Sequence, residues 1–437
     1  MRSQHTTRLA VLAAAVALTA AACSSSGASS STSGSGASGP VNITWWHNGT
    51  ADPLKSIWQN AANAYHAAHP SVTFTVDPIQ NEQFTTKVPL ALQSNDPPTL
   101  YQQWGGGQEA SQVTSGKLVD LTSLTSGWIS ELGPAAQGWQ VGGKQYGVPF
   151  DLHVVGFWYN KQSFAKAGIT GTPTTLDQLN ADVVKLKAAK IAPISIGSKD
   201  KWPDAFYWDY FAVRECSTAT LKKADASLDL SDPCWTKAGQ DLKTFLATNP
   251  FQTGFLGTAS QQGSGSSAGM VADGSAAMEL QGDWDPSVMA SLSTDTNLQS
   301  NLGWFPFPSV PGGQGDPTVA LGGGDGFSCT TGSAALTSAC AGFLQYIDSA
   351  PVQEKIAAAG GGLPANGAAS GALTDPTLKQ VLQYDQKASY VQMYFDTAFP
   401  TAAGQALDAA VADFFAGQGT PQAIVSSITN ASSAGGN

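Results

Sequence analysis

Charge is scarce in this chain. Asp, Glu, Lys and Arg make up 12% of 437 residues, about half the usual share, and the balance is acidic, with 21 basic against 32 acidic groups. Nucleic acid and anionic membrane surfaces are held by clustered Lys and Arg, so this composition argues against both as partners. Cysteine is limited to five copies with no Cys-x-x-Cys spacing and no histidine nearby, which argues against a zinc site. No apolar run is long enough to span a bilayer: the stretch Leu9 to Leu18 is about half of what a transmembrane helix needs. Neither a P-loop nor a Gly-x-Gly-x-x-Gly turn set between strand and helix occurs, so nucleotide chemistry and a bound cofactor have no support. No repeat with a period of 20 to 50 residues is visible, which sets aside solenoids and propellers.

What the chain does have begins at its amino end. Arg2 and Arg8 precede the short apolar run, and Ala20, Ala21 and Ala22 lead into Cys23, the layout of an export signal over residues 1–22. Its removal would take away two cations and lower the formal charge from −11 to −13. Residues 23–40 are almost wholly Ser, Gly, Ala and Thr, a flexible tether about 20 Å long by random-coil scaling. Small residues before a cysteine, with Ser and Gly after it, resemble a bacterial lipoprotein box, although Ala20 stands where Leu is usual. Cys23 is therefore the expected lipidation site, and the extracellular face of the cell membrane the expected location. Four cysteines then remain. They allow three connectivities, of which the two local couples, Cys216 with Cys234 and Cys329 with Cys340, are the expectation in an oxidising compartment.

Some 400 ordered residues exceed what one core usually serves, so two domains are expected. Val41 to Trp46 is a β-type run, Leu54, Ile57, Trp58, Ala61, Ala62 and Tyr65 recur at helical spacing, and Val72 to Val76 is a second strand. Strand, helix, strand implies a parallel pair. The pattern repeats with a helix over 82–93 and a strand over 100–104. Val148 to Asp151 and Val154 to Tyr159 are β-like with no helix between them, as in a crossing between lobes. Thr175 and Gln178 form a capping box for a helix that carries Leu176, Leu179, Val183 and Leu186, and a strand over 191–196 follows. Alternation of this kind places the fold in the α/β class.

Three motifs suggest chemistry and weaken on inspection. Gly265-Ser266-Ser267-Ala268-Gly269 matches a nucleophile elbow, but no apolar strand precedes Ser267, so the match reads as a chance product of a Gly/Ser loop. His66 and His69 could share a helical face, yet no third ligand stands at a recognisable spacing. A glycoside hydrolase would need two carboxylates flanking a bond, and Asp151, Asp283, Asp285 and Asp325 are candidates. The same carboxylates are good acceptors for sugar hydroxyls, so sequence leaves that alternative open.

Four ordered stretches resemble the bacterial extracellular solute-binding proteins of the sugar-binding class, relatives of the maltose-binding protein. They are Trp45 to Gly49, Pro97 to Gly107, Tyr146 to Asp151 with Trp158 to Gly168, and Gly274 to Trp284; Phe305 to Pro308 and Gly322 to Phe327 also fit, and the likeness runs from about Val41 to Ile424. The Trp104-Gly105-Gly106-Gly107 version is similar to actinobacterial receptors for plant-polysaccharide fragments, while Thr99 replaces an acidic residue common in the family. The resemblance implies a periplasmic-binding-protein-like α/β fold with two discontinuous lobes joined by a hinge, 41–150 with 311–355 and 151–310 with 356–437. It also implies a non-enzymatic, monomeric receptor, without metal or cofactor, that delivers a mono- or oligosaccharide to the permease of an ABC importer. A β-linked xylo- or gluco-oligosaccharide is the leading ligand; a peptide or polyol is the alternative on the same scaffold.

Sugars present C–H faces and hydroxyl edges, so a site needs flat indoles together with paired acceptors and donors. Strand-end positions supply both. The expected stacking platforms are Trp46, Trp104, Trp284 and Trp304, and the expected hydroxyl partners are Asn48, Gln103, Asp151, Asp283 and Asp325.

Overall fold

The computed structural model describes residues 39–434. The expected export signal and the lipidation site Cys23 lie outside the described residues. Among those described, no helix is long and apolar enough to cross a membrane.

The first strand, Val41–His47, alternates its side chains, placing Ile43 and Trp45 in the core and Trp46 on the opposite face. It pairs in parallel with Val72–Pro78 on one side and with Leu100–Gln103 on the other. Gly326–Cys329 runs antiparallel to Leu100–Gln103, and Gly147–Pro149 closes the far edge, making five strands. The helix Leu54–Ala68 covers this sheet with Trp58, Ala61, Ala62 and Tyr65, the spacing of one helical face. Its core adds Phe150, Phe327, Phe343 and Ile347.

A second sheet has the order Leu302–Phe305, Gly156–Asn160, Ala276–Gln281, Ala192–Ser195. All six residues of Ala276–Gln281 are buried, as expected of a central strand covered on both faces. Helix Leu176–Ala188 begins as its sequence foretells, with Thr175 Oγ1 accepting from the Gln178 amide at 3.3 Å. The Gln178 side chain bonds Thr174 rather than closing the box on Thr175, so half of the expected motif forms. The core here joins Phe157, Leu179, Tyr207, Trp208, Phe211 and Trp235 to Leu407, Val411 and Phe414 from the helix Thr401–Phe415.

Between the two sheets lies a third, with the order Leu363–Pro364, Asp151–Val154, Ala320–Gly323, Val391–Met393. The chain therefore passes from the edge of the first sheet at Gly147–Pro149, through Asp151–Val154, into the second at Gly156–Asn160 with no helix between. It returns through Ala320–Gly323 to Gly326–Cys329 in the first sheet. The segment 311–355 thus contributes to both the crossing and the first sheet. Leu363–Pro364 and Val391–Met393 from 356–437 flank the crossing, while its last two helices pack on the second sheet's core.

The two local disulfides form. Cys216 bonds Cys234 beside the second core, with Cα atoms 5.2 Å apart, and Cys329 bonds Cys340 under the first, at 6.2 Å.

Candidate functional site

A cavity of about 510 Å³ opens between the two lobes, a size that suits a small organic ligand. Its walls come from strand carboxyl ends, where an open α/β sheet leaves room for a ligand. Asn48 and Gly49 follow the first strand, Trp104 follows Leu100–Gln103, and Trp284 follows Ala276–Gln281. The crossing strands supply Asp151, His153 and, just beyond Ala320–Gly323, Asp325.

Glycines place both indoles. Gly105 has φ 74°, a conformation that L side chains rarely adopt, and a Cβ on Gly107 would lie 2.5 Å from the carbonyl oxygen of Ala398. Only the glycine run lets the helix Gly106–Val113 start directly against the Phe395–Ala398 helix and leave Trp104 on the wall. On the opposite wall Trp284 folds back over Gly282, where a Cβ would sit inside the indole ring.

His153 is the centre of the crossing and is almost wholly buried. Nδ1 faces Asp283 Oδ1 at 3.1 Å, and Nε2 faces Asp151 Oδ1 at 3.2 Å and Asp325 Oδ2 at 3.7 Å. Burial alone would strip its proton, but the carboxylates of Asp151 and Asp283 outweigh that and hold the imidazole well above its ordinary value. Burial raises Asp151 to about 7, against the opposing pull of His153. Every carboxylate here has partners. The amides of Val154 and Leu363 donate to Asp283 at 3.0 and 3.3 Å, the Asp325 amide donates to Asp151 at 2.6 Å, and Gln102 Nε2 donates to Asp325 at 2.8 Å. The imidazole and the Trp284 indole meet in a T-shaped contact with ring centroids 4.7 Å apart, so the cluster also fixes one aromatic wall. Asp151, His153 and Asp325 lie close enough to hold a metal ion, but an imidazolium that donates to carboxylates already explains their spacing.

At the other end of the cavity the walls are Asp200, Lys201, Trp202, Phe206, Asp396 and Asp408. These carboxylates are differently placed. The Oδ1 atoms of Asp396 and Asp408 are shut off from solvent and accept no hydrogen bond among the described residues. Burial pushes Asp396 to about 6, and burial with its acidic neighbours Asp396, Asp209 and Asp204 holds Asp408 well above the carboxylate range.

Of the nine residues expected at the site, Asn48, Trp104, Asp151, Trp284 and Asp325 line this one cavity. Asp283 stands one layer behind, bonded to His153. Three do not reach it, and their expected contacts are corrected. Trp46 packs on the Ile79, Phe84 and Tyr101 cluster, beside Trp104, and is not among the residues that line the cavity. Gln103 is fully buried, donating to Ser328 Oγ at 2.8 Å and accepting from the Gly105 amide at 2.8 Å. Trp304 fills the space over Gly156, where a Cβ would come within 2.4 Å of its indole, and belongs to the core. Sequence reasoning missed His153, Lys201, Trp202, Tyr394, Asp396 and Asp408. Only His153 carried a signal, since it stands two residues from Asp151 on a strand and so shares its face.

The motifs set aside above stay silent. Ser267 is fully buried, donating to the Ser260 carbonyl oxygen at 3.1 Å and bonded to Glu279. His66 Nδ1 meets the Val72 carbonyl oxygen at 2.6 Å, and His69 lies against Tyr65.

A family model described as bacterial extracellular solute-binding protein matches residues 49–354. The chain belongs to that family. Among relatives, an uncharacterized ABC transporter extracellular-binding protein of Pyrococcus horikoshii is 23% identical over 275 residues, covering 61% of this chain and 59% of the relative. A probable sugar-binding periplasmic protein of Mesorhizobium japonicum is 30% identical over 183 residues, covering 39% and 41%. This member of the solute-binding family therefore spans about three fifths or less of the length of these relatives. Among solved structures, one from work on xylan utilization by Caldanaerobius polysaccharolyticus superimposes with a TM-score of 0.81 at 24% identity, covering 89% of this chain and 99% of its own. A chitin oligosaccharide binding protein gives 0.80 at 24% identity, covering 91% and 100%. Those likenesses show the two-lobed periplasmic-binding-protein fold.

Proposed function

We propose that this family member is the extracellular sugar-binding component of an ABC importer. It takes a monosaccharide or short β-linked oligosaccharide of the xylo or gluco type into the cleft and presents it to a membrane permease. The observation that carries this reading is that Trp104 from one lobe and Trp284 from the other line a single cavity together with carboxylates, Asn48 and further aromatic side chains. Indole faces cover the C–H faces of a pyranose, and carboxylates and Asn48 take the hydroxyl edges. The names of two structural neighbours, which refer to xylan and to chitin oligosaccharide, support a β-linked ligand. Lipid on Cys23 and a tether over 23–40 would hold the receptor, as a monomer, at the outer face of the membrane.

A hydrolase is disfavoured by the state of the crossing carboxylates, which the amides and His153 already occupy. The test is a tryptophan-fluorescence titration with xylo-, cello-, chito- and malto-oligosaccharides, followed by mass analysis of the recovered sugar. A saturable change at one sugar per protein with the chain length unaltered is expected. Shortened product would sink the receptor reading, and saturation by a peptide alone would sink the carbohydrate.

A further inference from the structure

The cavity is far more acidic than hydroxyl recognition requires. Seven carboxylates line it against one lysine, Lys201, and no arginine. Asp151 and Asp325 are tied to His153, and Asp52 and Glu82 stand on the first-lobe side; Asp200, Asp396 and Asp408 form the far end. Directly behind that end are Asp204 and Asp209, both fully buried, each with one oxygen that accepts no hydrogen bond among the described residues. A second observation points into the same space. Tyr394 is 5% exposed and lines the cavity, and its hydroxyl has no partner among the described residues. It sits within electrostatic reach of Asp151, Asp283 and Asp325 as well as of His153, and stands two residues before Asp396 in the chain.

Buried acceptors without donors cost free energy, and buried like charges cost more, unless a ligand supplies both hydrogens and opposite charge. A neutral hydroxyl supplies the first. A protonated amine supplies both, with three N–H donors and a positive charge in one group. Resting on the carbohydrate reading above, we infer that the ligand carries at least one protonated amine, as in a glucosamine-type oligosaccharide, and that the ammonium is received at the Asp396 and Asp408 end of the cavity. Trp202 and Phe206 on the same wall add ring faces that favour a cation at close range. Lys201 faces Asp408 from the helix start and offsets only part of the charge, leaving the far end acidic. Burial pushes both carboxyls up, which fits a site completed by an incoming cation.

The test is a titration of the full chain with the glucosamine trimer, its N-acetylated form, cellotriose and spermidine, at about pH 6, where an alkyl amine is protonated. The glucosamine trimer is expected to bind at least about tenfold more tightly than either neutral trimer, with a gap that narrows as salt is raised. Asp408→Asn, checked for folding by its thermal transition, should narrow the same gap by about tenfold. Neutral trimers that bind as tightly as the amine, with no salt dependence, overturn this inference and leave the carbohydrate reading standing. Spermidine bound in preference to every sugar keeps the ammonium assignment and removes the carbohydrate. Failure of all four to bind overturns the ammonium assignment, and the titration with xylo- and malto-oligosaccharides above then decides the carbohydrate reading separately.

Discussion

The two ends of the cavity hold the same chemical group in opposite states. Around His153 three buried carboxylates share an imidazolium and four further donors, so the charge is settled before any ligand arrives. Around Asp396 and Asp408 each carboxylate keeps one shielded oxygen, Oδ1, that accepts no hydrogen bond among the described residues, while the backbone of Thr397 and of Asp396 itself donates to the Asp396 carboxyl. The difference follows from position. Asp151, His153 and Asp325 lie on or beside the strands that join the lobes, where the backbone offers amides and where the hinge must keep one geometry. Asp396 and Asp408 lie on helices of one lobe and line the cleft, each with one oxygen shielded. Satisfied charge holds a shape, and unsatisfied charge waits for a partner.

The sharpest way to break that comparison is to remove the imidazole. His153→Ala leaves Asp151, Asp283 and Asp325 facing one another without their shared cation. Breaking a buried charge network by deleting one partner typically costs about 3–5 kcal/mol, and a loss of that order is expected in urea unfolding. A loss under about 1 kcal/mol would mean that the three carboxylates are held by their amides alone.

At the other end the effect should run the opposite way and depend on pH. Burial raises Asp396 to about 6, and burial with its acidic neighbours holds Asp408 well above the ordinary carboxylate value of 3.8. The folded state therefore binds these protons more tightly. Their contribution to stability is fully present below about pH 4 and is lost as pH rises through the folded values, about 6 for Asp396. The double variant Asp396→Asn with Asp408→Asn should remove that slope and be about 1–3 kcal/mol more stable than the parent near neutrality when no ligand is bound. Parallel pH profiles of the two proteins would show that the far-end carboxylates are not held above their usual range.

Between the two ends stands Trp284, whose ring centroid lies 4.7 Å from that of His153 and 6.4 Å from that of Trp202. Trp284→Ala should weaken sugar binding at least about tenfold, roughly 1.4 kcal/mol, while thermal unfolding stays cooperative. Unchanged titration curves would take the indole out of the site.

How far the sequence reached follows from the same geometry. The strand and helix periodicities from Val41 to Gln103, the helix-free crossing at 148–159 and the local disulfides were legible, because alternation, glycine placement and cysteine spacing are local signals. Trp104 and Trp284 were legible for the same reason, each ending a strand beside glycines. Trp46 and Trp304 met the same criterion and failed it, since which face of a strand looks into the cleft is decided by the partner lobe and not by the strand itself. Asp396 and Asp408 gave no signal at all. Each is one acidic residue on a helix, and only the packing of the Thr401–Phe415 helix on the Phe395–Ala398 segment brings them together.

The smallest effect belongs to the lip of the cleft. Gln262 Nε2 donates to Glu82 Oε2 at 3.1 Å, joining the Gly/Ser loop of one lobe to the helix Asn81–Gln93 of the other. An exposed contact of this kind is worth about 0.2–1 kcal/mol, because water competes for both partners. Gln262→Ala should therefore weaken binding only about two- to fivefold, chiefly through faster release of the sugar, with folding stability unchanged. Stopped-flow dissociation would read that difference. A loss as large as that of Trp284→Ala would move the energetic centre of closure from the walls of the cavity to its rim, and the contrast between its two ends would cease to govern how the receptor holds its ligand.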